Sequence, residues 1–449
     1  SDLTTMNEEY DVIVLGTGLT ECVLSGLLSV DGKKVFHLDR NDYYGAECAS
    51  LDLTQCFKRF SDGKEPPESY GPPRKYLIDL VPKFLMAEGT LVKILVHTDV
   101  TKYLEFQSVE GSYVSKASKK DKGLKIHKVP ATAGEATKSK LMGMIEKKRF
   151  ADFLNFADSF DPENPEKSKG IKKDTLTKDM LKKYKFDSNT IDFLGHALAL
   201  YRDETWMELP ATETLARVKL YGDSLAAYGK SPYLYPLYGL GDLPQAFARL
   251  SSVHGGLYYL PKKVDKLVYD DKGRVCGISS DGEIAKCKAV IGHPSYFPDK
   301  VKKVGQVVRC ICILDGPVPN TKDANGCQII IPQSQVGRKN DIYISCVCST
   351  HGVCPKGKWI AIVATTVETS EPNAELEHGI NFLGSNVLEK FYYTSDLFEP
   401  TNDPSKDGVF ITNSIDATTH FETISKDVLR VYKAYAGKEL VLKPKKQES

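Results

Sequence analysis

Hydrophobic residues follow two different spacings along this chain, and the points where the spacing changes divide it into parts. Mainly apolar runs at 12–15 and 35–38 enclose a mainly apolar stretch at 22–29, an order that predicts a strand, a helix and a second strand. After residue 256, short apolar runs alternate with turns that contain Asp and Gly, which is typical of strands. The later predicted strands are 267–269, 274–278, 283–291, 307–314, 328–331, 342–348 and 359–365.

The middle of the chain has the three- and four-residue spacing of amphipathic helices. Three helices are predicted there, with apolar stripes formed by Leu141, Met144, Ile145, Phe153, Leu154, Phe156 and Ala157, by Ile191, Leu194, Leu198 and Tyr201, and by Leu215, Val218, Leu225 and Tyr228. Ser188 is the expected N-cap of the second helix, and Gly229 is the expected end of the third. We therefore expect a first α/β part at 1–126, a helical domain at 127–230, and the continuation of the first domain at 231–449.

This order of elements resembles that of the flavoprotein monooxygenases and amine oxidases. The expected fold class is α/β (α+β), a flavoprotein-monooxygenase-like FAD/NAD(P)-binding fold with mixed sheets that is interrupted by an all-helical domain. Enzymes of that architecture bind FAD in the strand-rich part, and some of them hold substrate in the helical part. The resemblance makes the first strand and its turn the place to look for a cofactor site.

The first strand leads into a dinucleotide-binding fingerprint that departs from the usual pattern at its last position. Gly16 and Gly18 stand where the turn requires them, and Asp39 follows the second strand, close to where an acidic residue would hold a ribose hydroxyl. The third Gly position is Glu21. Its carboxylate falls in the first helical turn, where the helix dipole would otherwise attract a pyrophosphate. We therefore expect the strand–helix–strand unit but no bound FAD or nicotinamide.

Composition excludes several classes of partner and location. The 60 basic and 59 acidic residues give the 449-residue chain a net charge of +1, which provides no field for nucleic acid. Lys-rich pieces at 116–128 and 443–446 are expected to be solvated. No apolar run approaches the ~20 residues that span a bilayer, residues 1–10 lack a signal-peptide core, and the C-terminal residues lack a prenylation box. The expected location is the cytosol.

The reactive side chains form no recognisable catalytic or metal-binding pattern. The nine histidines are dispersed without metal-ligand spacing, and the 11 cysteines include no Cys-x-x-Cys pair, so neither a zinc site nor a disulfide framework is indicated. Cys310 and Cys312 should share one face of a strand and pack in a core. His196, inside a helical stripe, is expected to be a hydrogen-bonded core residue rather than a base. We expect a protein that is not an enzyme.

The most distinctive segment is 231–250, which contains three tyrosines and three prolines. One interpretation is a rigid aromatic surface on which Asp242 and Arg249 orient a partner. The other is an ordinary buried loop followed by a core helix at 244–250. The residues of this segment alone favour neither interpretation over the other.

Several long motifs make the chain resemble the Rab GDP dissociation inhibitors. The segment at 228–241 is similar to the hallmark of that family, and the resemblance extends in order over nearly the whole chain. The other matching segments are 12–21, which ends in the same Glu, 38–41, 43–45, 82–87, 328–333 and 416–422. The sequence is therefore identified as a close relative of that family.

The resemblance implies a carrier of lipidated GTPases that performs no chemistry. Members of the family have the flavoprotein-like fold without the flavin. They bind GDP-bound prenylated Rab GTPases, slow nucleotide release, extract Rabs with their geranylgeranyl groups from membranes and keep them in the cytosol. By the same resemblance we expect a monomer that contacts membranes transiently and binds no cofactor, and the balanced charge predicts no binding of nucleic acid.

The resemblance also assigns residues to four functional sets. The Rab-binding platform is Tyr44, Arg74, Asp242, Arg249 and Tyr258. Coordination of the Rab C-terminus is assigned to Val100, Tyr103, Leu104 and Phe106, and the mobile loop to Tyr228, Lys230 and Ser231. The prenyl pocket is assigned to Leu141, Met144, Ile145, Leu194, Leu198, Leu215 and Val218.

A few positions depart from the family pattern, and two other functions stay open. Asp242 stands where Glu is common, Ala227 replaces an Arg in the mobile loop, and the hairpin at 115–124 is several residues longer than expected. One alternative is a Rab escort protein that presents Rabs for prenylation, although such proteins usually carry insertions that this chain lacks. The other is an FAD-dependent oxidoreductase, against which Glu21 and the missing catalytic set both argue.

Overall fold

The structure is a computed structural model that describes residues 8–117 and 123–442. The chain before residue 8, the tip of the hairpin at 115–124 and the Lys-rich tail at 443–446 therefore lie outside the described residues, wholly or in part. Across the two described ranges, every helix is too short or too polar to cross a membrane.

The described residues form strands in both halves of the chain and helices mainly in its middle. The strands are β1 Glu9–Tyr10, β2 Val12–Leu15, β3 Val35–Leu38, β4 Ser50–Leu51, β5 Ile78–Asp79, β6 Leu85–Met86, β7 Phe106–Ser108, β8 Gly111–Ala117, β9 Leu124–Lys128, β10 Tyr233–Pro236, β11 Leu257–Tyr259, β12 Lys266–Tyr269, β13 Val275–Ser280, β14 Glu283–Cys287, β15 Val290–Gly292, β16 Val301–Leu314, β17 Cys327–Ile331, β18 Ile342–Cys348, β19 Trp359–Thr366, β20 Val387–Pro400 and β21 Val409–Ile411. The α-helices are α1 Leu19–Val30, α2 Leu53–Phe60, α3 Thr90–His97, α4 Ala133–Lys138, α5 Met144–Ser159, α6 Pro165–Ser168, α7 Thr177–Lys182, α8 Ser188–Phe193, α9 Ala211–Tyr228, α10 Asp242–Val253, α11 Glu377–Phe382, α12 Pro404–Asp407 and α13 Glu422–Ala436.

A five-stranded parallel sheet forms the centre of the α/β part, in the order β11-β3-β2-β15-β21. Strands β2 and β3 are buried along their whole length, as expected for strands that are covered on both faces. The predicted strand–helix–strand unit is confirmed, because β2 pairs with β3 in parallel through α1. The helix is longer than the predicted 22–29 and begins directly after Gly18.

The second large sheet combines strands from both halves of the chain in the order β20-β16-β19-β18-β17-β8-β9. Its pairs are antiparallel except for β17 with β8, which confirms the prediction of mixed sheets. Residues of β16 alternate between two cores: Ile311 faces one, and Cys310 and Cys312 face the other. The two thiols lie on one face, with their sulfurs 3.6 Å apart, as the sequence predicts.

One predicted strand is wrong in its extent. The segment 283–291 is not continuous: β14 belongs to a four-stranded sheet, whereas β15 belongs to the parallel sheet. Lys288 lies between them and binds Asp11 on the surface, with 2.8 Å between Nζ and Oδ1. Apolar residues occur on both sides of this break, although β14 is partly exposed and β15 is buried, so the local pattern does not reveal the change of sheet.

The middle of the chain is helical, as predicted, with an aromatic cluster between α5 and α8. Rings of Phe150, Phe153, Phe186 and Phe193 lie within 4.9–6.1 Å of a neighbour in this cluster. The end of α9 is confirmed, since Gly229 has a φ of 77°, a left-handed conformation that favours glycine.

The expected N-cap of the second helix is wrong by one residue. Asp187, not Ser188, caps α8, and its carboxylate accepts a hydrogen bond from the Thr190 N–H at 2.7 Å. An Asp carboxylate stabilises a helix start as well as a Ser hydroxyl does, so two adjacent capping residues leave the boundary undecided in the sequence. After Phe193 the chain continues as a π-helical turn, Leu194–Leu198.

His196 joins this π-helical turn to the seven-stranded sheet. The side chain is buried, and its Nδ1 lies 2.8 Å from Asp341 Oδ2 while its Nε2 lies 3.2 Å from Glu204 Oε1. Gln333 extends the network, because its amide donates to Glu204 and its main-chain N–H donates to Asp341. His196 is therefore a hydrogen-bonded core residue, as expected from its place in the helical stripe.

The network keeps His196 charged, and this determines how stability depends on pH. Burial disfavours the charged ring, but Asp341 and Glu204 outweigh burial and raise the pKa of His196 to about 10. A folded-state pKa above the unfolded value of about 6.5 gives stabilisation that is complete below that pH and is lost as the pH rises toward 10.

We predict that His196→Gln lowers the free energy of unfolding at about pH 6 by roughly 3–5 kcal/mol, because it leaves Asp341 buried without its charged partner. The difference from the wild type should shrink steadily as the pH is raised to about 9. Urea unfolding at several pH values measures both quantities, with His378→Gln, which removes an exposed histidine, as the control. A difference that stays constant with pH would contradict the charged assignment.

Candidate functional site

The candidate platform is built on α10, the helix that follows the Tyr-rich segment. Its apolar face, which includes Leu243, Phe247 and Leu250, is buried, and α10 packs on α1. Gly26 permits the close approach, because a Cβ there would lie 3.0 Å from a ring carbon of Phe247. Arg249 lies on the opposite, exposed face of α10.

The Tyr-rich segment before α10 faces mostly inward. Tyr233 and Tyr235 are buried in β10, the middle strand of a three-stranded sheet. The Tyr235 hydroxyl donates a hydrogen bond to Asp79, and the Tyr233 hydroxyl accepts one from Gln328 at 3.0 Å. Tyr238 is 58% exposed. Of the two interpretations, the buried loop describes Tyr233 and Tyr235, whereas the aromatic surface describes Tyr238 alone.

Tyr44 and Tyr258 lie side by side at the carboxyl edge of the parallel sheet. Their ring centroids are 5.9 Å apart. Tyr258 stacks on the other side against His37 at 4.3 Å and donates its hydroxyl hydrogen bond to Ser25 at 3.0 Å. Burial lowers the pKa of His37 to about 4, so this ring is neutral at neutral pH. Tyr258 is thus fixed in orientation and supports the more exposed Tyr44.

A contact between Arg249 and Tyr103 joins two residue sets that the sequence assigned separately. The Arg249 guanidinium lies 4.5 Å from the centroid of the Tyr103 ring, a cation–π geometry. Tyr103 ends the 3-10 turn Val100–Tyr103, whose first residue is fully buried. Their separation in sequence gives no local signal of this contact, which requires the packing of α10 beside that turn.

The other residues of these two sets are placed as follows. Leu104 and Phe106 are half-buried beside the 3-10 turn, with Phe106 as the first residue of β7. Asp242 is half-buried at the start of α10, and burial raises its pKa. Arg74 is exposed on a separate 3-10 turn, Pro73–Lys75.

The segment assigned to the mobile loop is held at one end. Tyr228, the last residue of α9, is 53% exposed. Lys230 Nζ forms an ion pair with Glu110 Oε1 at 2.9 Å, and the buried Ser231 hydroxyl donates to the main-chain oxygen of Val109. Its movement stays a prediction, and the contacts with residues 109 and 110 are those that such a movement would have to break.

The residues assigned to the prenyl pocket fall into two groups. Met144 and Ile145, at the start of α5, are 87% and 71% exposed. The others are buried in the core of the helical part: Leu141, Leu194, Leu198, Leu215 and Val218. The structure therefore has an exposed apolar pair on a helical domain whose interior is well packed.

The fingerprint turn is filled by the protein's own carboxylate rather than left open for a cofactor. Glu21 is buried, and its Oε1 accepts a hydrogen bond from the Thr412 hydroxyl at 2.5 Å. Its other oxygen covers Gly18 so closely that a Cβ there would lie 2.5 Å away. Burial raises the pKa of Glu21, while His293 and the Thr412 hydrogen bond favour its charged form. A pyrophosphate at this helix start would collide with Glu21.

Asp39, at the position where an acidic residue would hold the ribose of a dinucleotide, is also hydrogen-bonded within the protein. Asp39 is buried and accepts hydrogen bonds from the Thr17 N–H at 2.7 Å, the Thr17 hydroxyl at 2.6 Å and the Asn41 N–H at 2.8 Å. A carboxylate with these partners is not available for a ribose hydroxyl. The residues present do not fit FAD or a nicotinamide cofactor. In addition, no His, Cys, Asp and Glu cluster suited to a metal occurs within residues 8–117 and 123–442.

Comparisons with known proteins agree with this geometry. A sequence model of the family described as GDP dissociation inhibitor matches residues 6–447. The chain is 52% identical over 439 residues to the probable secretory pathway GDP dissociation inhibitor 1 of Schizosaccharomyces pombe, with 98% of each chain covered. It resembles a solved Rab GDI from Plasmodium falciparum at 47% identity and a TM-score of 0.92, over 97% of this chain and 99% of that one. An oxidoreductase from Methanosarcina mazei, 16% identical with a TM-score of 0.60 over 95% and 100% of the two chains, shares the fold alone.

We predict that the purified protein carries no flavin, because Glu21 and Asp39 take up the two positions that would hold the dinucleotide. The measurement is the absorbance near 450 nm of the folded protein and of the supernatant after denaturation. Near-stoichiometric flavin in either sample would contradict the assignment of Glu21 as an internal substitute for the ligand.

Proposed function

The chain belongs to the GDP dissociation inhibitor family, and we propose that it binds GDP-loaded prenylated Rab GTPases, slows the release of their GDP and withdraws them from membranes into the cytosol. Members of this family are regulators of GTPases rather than enzymes. The observation that carries the proposal is that the family match includes both the α10 surface and the helical part. In this function the protein supplies two binding surfaces and no catalytic group.

The α10 surface has the charges that a protein partner requires. Among the described residues, no carboxylate forms a salt bridge with Arg249 and no cation forms one with Asp242, so both charges are available to a partner. The contact of Arg249 with Tyr103 holds the guanidinium in place before binding, which reduces the entropy that binding costs. The Tyr44–Tyr258 pair adds an aromatic group of the kind that is enriched where proteins bind.

Extraction from a bilayer requires a second, apolar surface. Burying each CH₂ group contributes about 0.8 kcal/mol, so a geranylgeranyl chain represents on the order of 10 kcal/mol of transfer free energy. The charged α10 surface cannot supply this. We propose that the exposed Met144 and Ile145 receive the lipid first, and that it enters between helices that include the Leu194 and Leu198 stripe. Met is unbranched and flexible, and suits a surface that must adapt to a lipid chain.

We predict that Arg249→Ala weakens binding of GDP-loaded Rab at least tenfold, a loss of about 1.4 kcal/mol, because a charge that is buried in the complex loses its partner. The melting temperature should change little, since Arg249 is exposed in the unbound protein. Calorimetric titration with unprenylated Rab·GDP measures the affinity, and Rab·GTP tests the nucleotide preference.

The matched control for this experiment is Arg274→Ala, which removes another exposed guanidinium that contacts the main chain of Ser405 instead. Equal weakening by both variants would indicate a general charge effect. A large fall in melting temperature for Arg249→Ala would make Arg249 a structural residue instead of a contact residue.

A second prediction concerns the lipid. The double substitution Met144→Ser and Ile145→Ser should abolish extraction of geranylgeranylated Rab·GDP from liposomes, because it removes the apolar surface that meets the lipid. Binding of unprenylated Rab should be unchanged. Sedimentation of the liposomes followed by quantification of Rab in the supernatant measures the extraction.

Because Met144 and Ile145 are exposed, their substitution disturbs folding less than a substitution in the packed interior would. Replacement of Leu198 by a polar residue would disturb the core, whereas Met144 and Ile145 can change without loss of packing. Ile284→Ser is the control, since it removes an apolar side chain that is 47% exposed on β14, in another part of the fold. Normal extraction by the double variant would mean that the lipid binds elsewhere.

A further inference from the structure

A cavity of about 500 Å³ lies between the two large sheets, and it is distinct from the platform and from the helical part. One wall is the carboxyl edge of the parallel sheet, with Gly16, Asp39 and Arg40, and the other is the face of the seven-stranded sheet that carries Arg309 and Tyr393. Arg309 and Tyr393 are directly opposite each other on β16 and β20. Opposed residues of an antiparallel pair project from the same face, so both side chains meet this cavity.

Arg309 is a buried cation without a counter-ion. Its side chain is 1% exposed, and Nη1 donates to the Ser395 hydroxyl at 2.8 Å while Nη2 donates to the main-chain oxygen of Asp416 at 2.9 Å. Its Nε–H has no hydrogen-bond partner. No carboxylate in residues 8–117 or 123–442 comes within salt-bridge distance of Arg309. A guanidinium stays charged inside a protein, so an uncompensated one is costly to bury.

Asp416, whose main-chain oxygen accepts a hydrogen bond from Arg309, has a carboxylate that is already shared by two other cations. Asp416 Oδ1 binds the buried Lys83 Nζ at 2.9 Å, and its Oδ2 binds Arg202 Nη1 at 3.1 Å. The Lys83 and Arg202 charges lower the pKa of Asp416, although burial opposes this. With Arg309, this region contains three cations for one carboxylate.

Among the charged side chains that line the cavity, one cation remains in excess once the ion pair of Asp396 is counted. Arg40 and Arg59 equal in number the carboxylates of Asp39 and Glu47. The remaining acid, Asp396, is paired with Lys303, with 2.7 Å between Nζ and Oδ1. Arg40 and Arg59 are exposed to solvent, so Arg309 is the cation of the three that is buried without a counter-ion.

Tyr393 supplies a second unused donor beside Arg309. Its hydroxyl is buried and has no hydrogen-bond partner, and its ring lies 6.0 Å from the Arg309 guanidinium. Burial raises the pKa of Tyr393, so the hydroxyl is protonated at neutral pH and can donate. Two buried donors without acceptors, one of them cationic, are what an anion requires.

We propose that this cavity binds a small anion that carries phosphate or carboxylate groups, held by the Arg309 Nε–H and the Tyr393 hydroxyl. The ligand is not a dinucleotide, because Glu21 covers Gly18 and Asp39 is bound to Thr17 and Asn41. The Arg309 end of the cavity is left for a compact anion. The site is independent of the proposed Rab and lipid surfaces.

The test is calorimetric titration and thermal melting of the whole protein with inorganic phosphate, inorganic pyrophosphate and citrate at matched low ionic strength. At least one anion should bind and raise the melting temperature. Arg309→Met, which keeps the length of the side chain without its charge, should weaken binding at least tenfold. Tyr393→Phe removes only the hydroxyl, so it keeps the test valid if Arg309→Met fails to fold.

The control variant is Arg274→Met, at an exposed position away from the cavity, and its affinity for the anion should match that of the wild type. The pyrophosphate and citrate titrations distinguish phosphate from carboxylate ligands. The absence of binding by all three anions would overturn the proposal. So would an unchanged affinity in Tyr393→Phe together with Arg309→Met, because the anion would then bind outside this cavity.

Discussion

The structure depends on two carboxylates that take the place of a ligand inside a dinucleotide-type fold. Glu21 binds Thr412 and covers Gly18, and Asp39 binds both the N–H and the hydroxyl of Thr17. Both carboxylates are thus satisfied by groups within the protein. The carboxyl edge of the sheet is therefore closed by the protein itself.

Closure of this edge also positions the neighbouring surface. His37, on the strand that precedes Asp39, stacks against Tyr258, and Tyr258 in turn contacts Tyr44. Helix α10 packs on α1, the helix that starts at the filled turn, and presents Arg249 toward Tyr103. The candidate binding surface is thus built on the same elements that would have framed a cofactor, and their rigidity holds its side chains in position before a partner arrives.

The helical part is joined to the sheet by polar contacts, whereas its own interior is apolar and aromatic. His196, Asp341, Glu204 and Gln333 form a buried network at this junction. Directional hydrogen bonds fix the orientation of the helices on the sheet, while packed apolar side chains permit many small rearrangements among themselves. This division is compatible with the lipid entry proposed above, which requires the helices to separate while the domain stays attached to the sheet.

The sequence by itself determined the strand–helix–strand unit with Glu21 at its turn, the helices in the middle of the chain and most strands of the second sheet, because spacing and chain order express these features locally. It left 283–291 as one strand and placed the cap at Ser188, since neither a change of sheet nor a choice between adjacent capping residues alters the local pattern.

The functional residue sets were assigned from the resemblance to a family, but that resemblance did not predict the contacts among their members. Only the tertiary structure decided that Tyr233 and Tyr235 face inward, that Arg249 meets Tyr103, and that Arg309 is buried beside Tyr393 without a counter-ion. Burial and charge compensation are properties of everything that surrounds a side chain, and residues hundreds of positions apart supply those surroundings.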